Sequence, residues 1–421
     1  MANRPLGILF LTVFVDLIGF GIVLPLLPTY GESFGASGLT IGALMASYSA
    51  MQFLFSPVWG AWSDRVGRRP VIVISTLGST LSYALFAWAS TGAGAAALWG
   101  LFGSRMLAGI FGANLTVAQA YIADITPPAD RSRRMGLIGM AFGLGFILGP
   151  ALAVLALNTL GKPGPGLAAS AICGVNCLLA WARLPESRQP GGPSGPRRPR
   201  LAQVRHVLEL PWVGFLVMIF FLATFGFTCF ETTLGILVAR NFQLSEHASH
   251  NTNAILFCFA GLIGAVVQAG PIGRLVKRLG EPRLIALSLV VFAVGLAPLP
   301  WVRGQGTLSL ATLFSANGAG WWALLLLVAL IAVGSGLTRP PLFGLVSNLS
   351  PENERGGTLG VVQSAGSLAR ILGPLLAGLL LDRHPAWPYV FCAGITLIAG
   401  LISWGRLVGR VTLPQPSPAA P

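Results

Sequence analysis

The chain has 421 residues, of which 54% are apolar and only 10% are charged, with a mean hydropathy of +0.74. Soluble domains carry about a quarter charged residues, so this composition excludes an ordinary water-soluble enzyme. The formal net charge of +14 would suit a nucleic-acid partner, but the positive charges are scattered through short segments between long apolar runs. That distribution belongs to the cationic loops of a polytopic membrane protein, with the bilayer as partner and no nucleic acid expected.

Taken in order, twelve apolar runs are long enough to cross a bilayer as helices. They lie at about 6–30, 40–60, 70–90, 96–118, 135–157, 166–182, 211–235, 251–271, 284–301, 321–344, 357–381 and 386–408. The first is too long for a cleavable signal, lacks a small-residue cleavage site and leads directly into the second. The one long polar segment, 183–210, is rich in Pro, Gly and Arg and reads as a linker. Its end, 201–210, can form a short interfacial helix with Arg205 and Glu209 four residues apart. The expected fold is therefore an all-α membrane protein of twelve transmembrane helices in two pseudo-symmetric six-helix bundles, 1–182 and 211–421. Placing both termini and the linker on one side puts 21 of the 27 Lys and Arg residues there, Arg339 among them, and four on the other side. The remaining two, Arg105 and Arg370, fall within spans. This bias predicts cytoplasmic termini.

The halves echo each other. The turn at 60–69 (GAWSDRVGRR) has a basic counterpart at 270–280 (GPIGRLVKRLG), and the fifth run's GFILGP at 145–150 matches RILGP at 370–374. A duplicated half is what a carrier needs if two similar bundles rock about a midplane site. The five cysteines all lie in apolar runs, and no cluster of soft ligands accompanies them, so no metal site is expected.

The 60–69 turn closely resembles the signature loop of the major facilitator superfamily. Residues 16–28 (DLIGFGIVLPLLP), Arg105 to Gly109 with Gly112 and Asn114, and 145–150 resemble motifs of its twelve-helix drug:proton antiporters. Residues 121–126 (YIADIT) and the basic segment after them are similar to the bacterial tetracycline-efflux branch. The resemblance implies a gate made by Gly60, Asp64, Arg65, Gly67, Arg68 and Arg69, with contacts across the halves that stabilise an outward-facing arrangement. It also implies a part for Arg105 in proton coupling. The 270–280 turn departs from the pattern, having no acid where the first has Asp64.

Ionisable residues inside spans are expensive and therefore point to function. Asp16, near the middle of the first span, must face the interior, pair or carry a proton. Glu231 in the seventh span is the second proton-coupling candidate, and Arg105 is expected to pair across helices with Asp16 or with substrate. Arg370 can meet an anionic substrate group or pair with Glu231. Asn114, Gln119, Phe225 and Gln363 are candidates, with Arg370, to line a substrate cavity. Asp124 reads as a gate or loop anchor. Gly145, Gly149, Pro150, Gly373 and Pro374 should allow close packing and bending where the halves meet.

These residues imply a transporter rather than an enzyme, since no nucleophile–base pair, metal cluster or phosphate-binding loop is present in the sequence. The expected activity is efflux of small hydrophobic or amphipathic compounds, drugs such as tetracycline included, in exchange for protons. No cofactor is expected beyond the coupling ion, and the chain is expected to be a monomer in a bacterial inner membrane. Two alternatives share the fold: a proton-coupled carrier of a sugar, nutrient or lipid-like metabolite, and a binding or scaffold protein that transports nothing.

Overall fold

The apolar runs become helices, because backbone polar groups in lipid must be satisfied within the segment itself; the first and fourth are built of shorter helical pieces. The computed structural model describes residues 3–112, 114–126, 131–187, 200–270, 272–315, 318–351 and 354–409. Residues 188–199 of the expected linker lie outside them. The twelve spans are α1 (Pro5–Ser33), α2 (Gly38–Val66), α3 (Arg68–Ser90), α4 (Gly94–Ile122), α5 (Gly143–Leu160), α6 (Gly164–Arg183), α7 (Val213–Asn241), α8 (Glu246–Gln268), α9 (Glu281–Trp301), α10 (Ala319–Leu349), α11 (Gly357–Arg383) and α12 (Trp387–Leu407). No strand occurs among the described residues.

Tryptophans mark the two membrane faces. Trp88, Trp99, Trp301, Trp322 and Trp387 are exposed near one face, and Trp62, Trp181 and Trp404 near the other, which also carries the linker. Indole rings prefer this headgroup level, where an apolar body and a polar N–H are both accommodated.

Packing follows the sequence repeat. In the first six spans α1 packs on α5 and α3 on both α4 and α6; in the last six α7 packs on α11 and α9 on both α10 and α12. Two seams join the sets, α2 against α11 and α5 against α8. Small residues make the α2–α11 seam possible. A Cβ at Gly42 would run into the Pro374 carbonyl, and one at Gly378 into the Gly38 carbonyl. On the other seam, a Cβ at Gly261 would lie 2.6 Å from the Phe146 carbonyl oxygen.

Four expectations are corrected. The 60–69 turn is almost wholly helical: α2 runs to Val66, α3 starts at Arg68, and Gly67 alone, at φ 102°, makes the reversal. Left-handed φ values are cheap only for glycine. The matching 270–280 segment holds a helix, Ile272–Leu279. Its Ile272, Leu275, Val276 and Leu279 lie on a small apolar cluster with Leu284 and Leu337. Arg339 is not in a basic loop but inside α10. Gly145 and Gly149 do not face the other half; they meet α1, where a Cβ at Gly149 would come within 2.5 Å of Gly21.

Candidate functional site: a ladder of charges between the halves

Counting about 1.5 Å of rise per residue from the face opposite the linker, Tyr48, Arg105 and Glu231 lie about 15 Å deep. Arg370 lies about 20 Å deep, Asp16 about 25 Å and Arg339 about 30 Å. Five charged side chains are thus spread through the depth of the spans.

Arg105, on α4, is 1% exposed, and its Nε and Nη1 have no hydrogen-bond partner among the described residues. Its guanidinium lies over two rings instead, 4.7 Å from the Tyr48 centroid and 5.6 Å from that of Phe20. A desolvated guanidinium over an aromatic face is attracted by the ring quadrupole. Gln52 steadies the cradle by donating to the Tyr48 hydroxyl at 3.2 Å and to the Gly112 carbonyl at 3.0 Å. That carbonyl is accessible because α4 breaks at Gly112 into Gly94–Phe111 and Asn114–Ile125.

Arg105 makes no ion pair among the described residues, so the expected partnership with Asp16 is absent from this conformation. Asp16, half-buried on α1, instead lies within electrostatic reach of Tyr83, Tyr48 and Cys173. Glu231, on α7, is 7% exposed and makes no hydrogen bond or ion pair among the described residues; it lies within electrostatic reach of Arg370 and Arg105. Arg370 donates to Ser367 Oγ at 3.3 Å, and Arg339 donates to Gln363 Oε1 at 3.5 Å. Gln363, Ser367 and Arg370 are spaced four and three residues apart and so share one face of α11. Arg339 sits over Phe343 and Phe220 at 5.5 and 5.9 Å.

At the linker face, Arg68 is 4% exposed and binds Asp64 at 2.7 Å, Asp124 at 3.0 Å and Ser63 Oγ at 2.6 Å. The Glu186 carboxylate accepts from the Arg68 and Arg69 backbone N–H groups at 2.8 and 3.1 Å, capping the N-terminus of α3. Arg69 donates to the Trp181 carbonyl at 2.6 Å. These partners all lie in the first six spans or just beyond α6, whereas cross-half contacts are the expectation for this gate.

Opposite the linker, the halves are strapped together. Asp382 accepts from the backbone N–H groups of Gly38 and Leu39 at 2.6 and 2.8 Å. Arg240 pairs with Glu32 at 3.0 Å, Lys162 with Glu246 at 2.6 Å, and Asn251 donates to Asn158 at 2.9 Å. The His250 ring packs edge-on against Tyr30, 4.4 Å between centroids, beside a cavity of about 270 Å³ that Glu32, Arg240 and Glu246 also line.

The Major Facilitator Superfamily model matches residues 9–311 and 304–421. The chain belongs to the Major Facilitator Superfamily. It is 30% identical to the class E tetracycline resistance protein of Escherichia coli, covering 98% of this chain and 97% of that one. It is also 30% identical to multidrug resistance protein 2 of Bacillus subtilis (strain 168), over 94% of this chain and 92% of the relative. Among solved structures, the human organic anion transporter MFSD10 (TETRAN) superposes with a TM-score of 0.64 at 26% identity, covering 96% of this chain and 99% of that one. As a superfamily member the chain is a membrane transporter, not an enzyme.

The remaining expected residues of this superfamily chain divide by location. Gln119 is half-buried on the linker-side piece of α4, and the Asn114 side chain lies outside the described ones. Phe225 is packed into the core of the last six spans and stacks on Phe221 at 5.9 Å. Gly373 abuts Thr228 and Phe225 of α7, as Gly149 abuts Gly21 of α1, so the repeated LGP motif makes the equivalent close contact in each half. Pro374 lies in the α2–α11 seam, while Pro150 is buried within the helix Arg131–Leu160. Arg65 is exposed, and Gly60 has open space beside it. Sequence reading missed Arg339, Glu186 and Asp382. Arg339 alone left a signal, as a cation in an otherwise apolar stretch before two prolines.

Proposed function

We propose that this chain exports small hydrophobic or amphipathic compounds, drugs among them, in exchange for protons. The observation that carries the reading is the pair of carboxylates, Asp16 and Glu231, set deep along the spans of a twelve-helix fold, with Arg370 and Arg105 within electrostatic reach of Glu231. Intramembrane acids at such depth are costly unless they serve transport or pairing. The names of the relatives, tetracycline resistance and multidrug resistance proteins, favour drugs as cargo.

In the working cycle, protons from the side opposite the linker load Asp16 while the protein is open there, with Glu231 as the second carboxylate of a coupled set. The bundles 1–182 and 211–421 then rock, and proton release toward the linker side restores affinity for substrate. Gly60, Asp64, Arg65, Gly67, Arg68, Arg69 and Asp124 gate the linker face. That face is cytoplasmic by its excess of Arg and Lys, and the membrane is the bacterial inner membrane.

The test is proton release by purified protein in detergent near pH 7 on adding tetracycline or other candidate drugs, comparing the native chain with Asp16→Asn and Glu231→Gln. Loss of release in Asp16→Asn, with the fold retained, supports the exchange. Drug binding without release in the native chain overturns it.

A further inference from the structure

The helix Ile272–Leu279 (IGRLVKRL) stands where the chain turns from α8 into α9 at the linker face. Its apolar residues, Ile272, Leu275, Val276 and Leu279, are spaced three and four apart or adjacent, so they share one face, which packs with Val267, Leu284 and Leu337. Arg274, Lys277 and Arg278 share the other face and are exposed, as is Arg283 in the first turn of α9. Packing explains the apolar face and leaves the basic one without a role.

None of these four cations makes an ion pair or hydrogen bond among the described residues. The first half answers its own basic turn within the protein: Arg68 meets Asp64 and Asp124, and Arg69 meets the Trp181 carbonyl. The helix Ile272–Leu279 has no acid of its own. Glu281, the next acid along the chain, is turned toward α10, where a Cβ at Gly344 would lie 2.6 Å from its Oε1. Arg274, Lys277, Arg278 and Arg283 therefore repel one another with no described carboxylate against them, a cost that an external anion removes.

Their position selects the anion. Leu262 and Val266, one turn apart near the end of α8, are 51% and 59% exposed, and Leu287, one turn beyond Arg283 on α9, is 39% exposed. Apolar side chains exposed on a span lie against acyl chains. The cations stand at headgroup level beside that surface, a setting that a phospholipid fills at both ends and a soluble anion only at one. We propose that the helix Ile272–Leu279, together with Arg283, is a binding site for anionic phospholipid headgroups in the leaflet on the linker side. Basic clusters on amphipathic helices at a membrane surface bind such headgroups through several cations at once. The inference is independent of what the chain transports.

The experiment titrates the detergent-purified chain with short-chain phosphatidylglycerol, short-chain phosphatidylcholine and glycerol 3-phosphate, reading binding by thermophoresis. Phosphatidylglycerol is expected to bind about tenfold tighter than phosphatidylcholine, since each cation near an anionic surface contributes up to about a fivefold factor. The triple variant Arg274→Gln, Lys277→Gln, Arg278→Gln should lose most of that preference. A control triple variant that removes exposed cations elsewhere on the linker face, Arg183→Gln, Arg205→Gln, Arg406→Gln, should keep it. In the native chain, raising salt from about 0.05 to about 0.5 M should erase the preference by screening, with no substitution involved. Equal affinity for the two lipids, a preference that survives the first triple variant or high salt, or an equal loss in the control overturns the proposal. Glycerol 3-phosphate binding as tightly as phosphatidylglycerol also overturns it, because the site would then recognise a free phosphate rather than a lipid.

Discussion

Asp382 closes the end of one half with the end of the other: its carboxylate takes the N–H of Gly38 at 2.6 Å and that of Leu39 at 2.8 Å. Residues 38 and 39 begin α2, whose first N–H groups have no partner within the helix. Asp382 ends α11, so one side chain serves as helix cap and as strap between the halves. Rocking the halves apart on this face must break it.

Asp382→Ala should therefore loosen the face opposite the linker. A cap is worth about 1 kcal/mol, roughly a fivefold shift between closed and open. The check is thiol labelling of a cysteine placed at Ser37, which should react several times faster in the Asp382→Ala background. Equal labelling rates would mean that the Arg240–Glu32 and Lys162–Glu246 pairs hold the face without it.

Gly42→Ala should be costly and Gly7→Ala nearly silent, although both exchange a helical glycine for alanine. Gly42 has the Pro374 carbonyl against it, whereas Gly7 has nothing within 4 Å. Overpacking of this kind costs about 1–3 kcal/mol, while alanine in open helix gains a few tenths to 1 kcal/mol. Thermal unfolding in detergent separates the two variants.

Arg68→Ala should destabilise the linker face more than Asp64→Asn. Arg68 is buried and answers both Asp64 and Asp124, so its removal takes a charge-assisted bond from each of two half-buried carboxylates, at a cost of about 1.5–3 kcal/mol per bond. Asp64→Asn keeps Arg68 paired with Asp124. Proteolysis at the linker face reports the difference.

Arg105→Lys should keep the fold and lose most transport. An ammonium retains the charge over Tyr48 and Phe20 but not the planar fork. Tyr48→Phe, by contrast, keeps the ring under Arg105 and removes only the Gln52 hydrogen bond. Its transport in proteoliposomes should remain within about threefold of native, the size of one modest hydrogen bond.

The 60–69 segment shows how far motif reading reaches. Its residues were legible, because a glycine flanked by arginines between two apolar runs has few other uses, yet its loop was overdrawn. One φ-positive glycine suffices to reverse the chain, and helix propagates up to it from both sides. Asp16, Glu231, Arg105 and Arg370 were legible for a different reason, since a charge inside an apolar run stands out by composition alone. Which of them meet was not legible. The expected Asp16–Arg105 pair does not form in this conformation: Arg105 lies over the rings of Tyr48 and Phe20 instead.

What the sequence alone determined is whatever follows from one helix at a time: twelve spans, the repeated halves and the excess of cations at one face. Those features depend on local backbone satisfaction and on the bilayer's thickness, which act on each apolar run separately. Only the tertiary structure decided which small residues touch, that Arg339 stands over Phe343 and Phe220 beside Gln363, and that Glu186 and Asp382 cap helices to which they do not belong. Such contacts depend on the rotation and depth of each helix against its neighbours. Those are set by side-chain packing between segments far apart in sequence, and hydropathy carries no record of them.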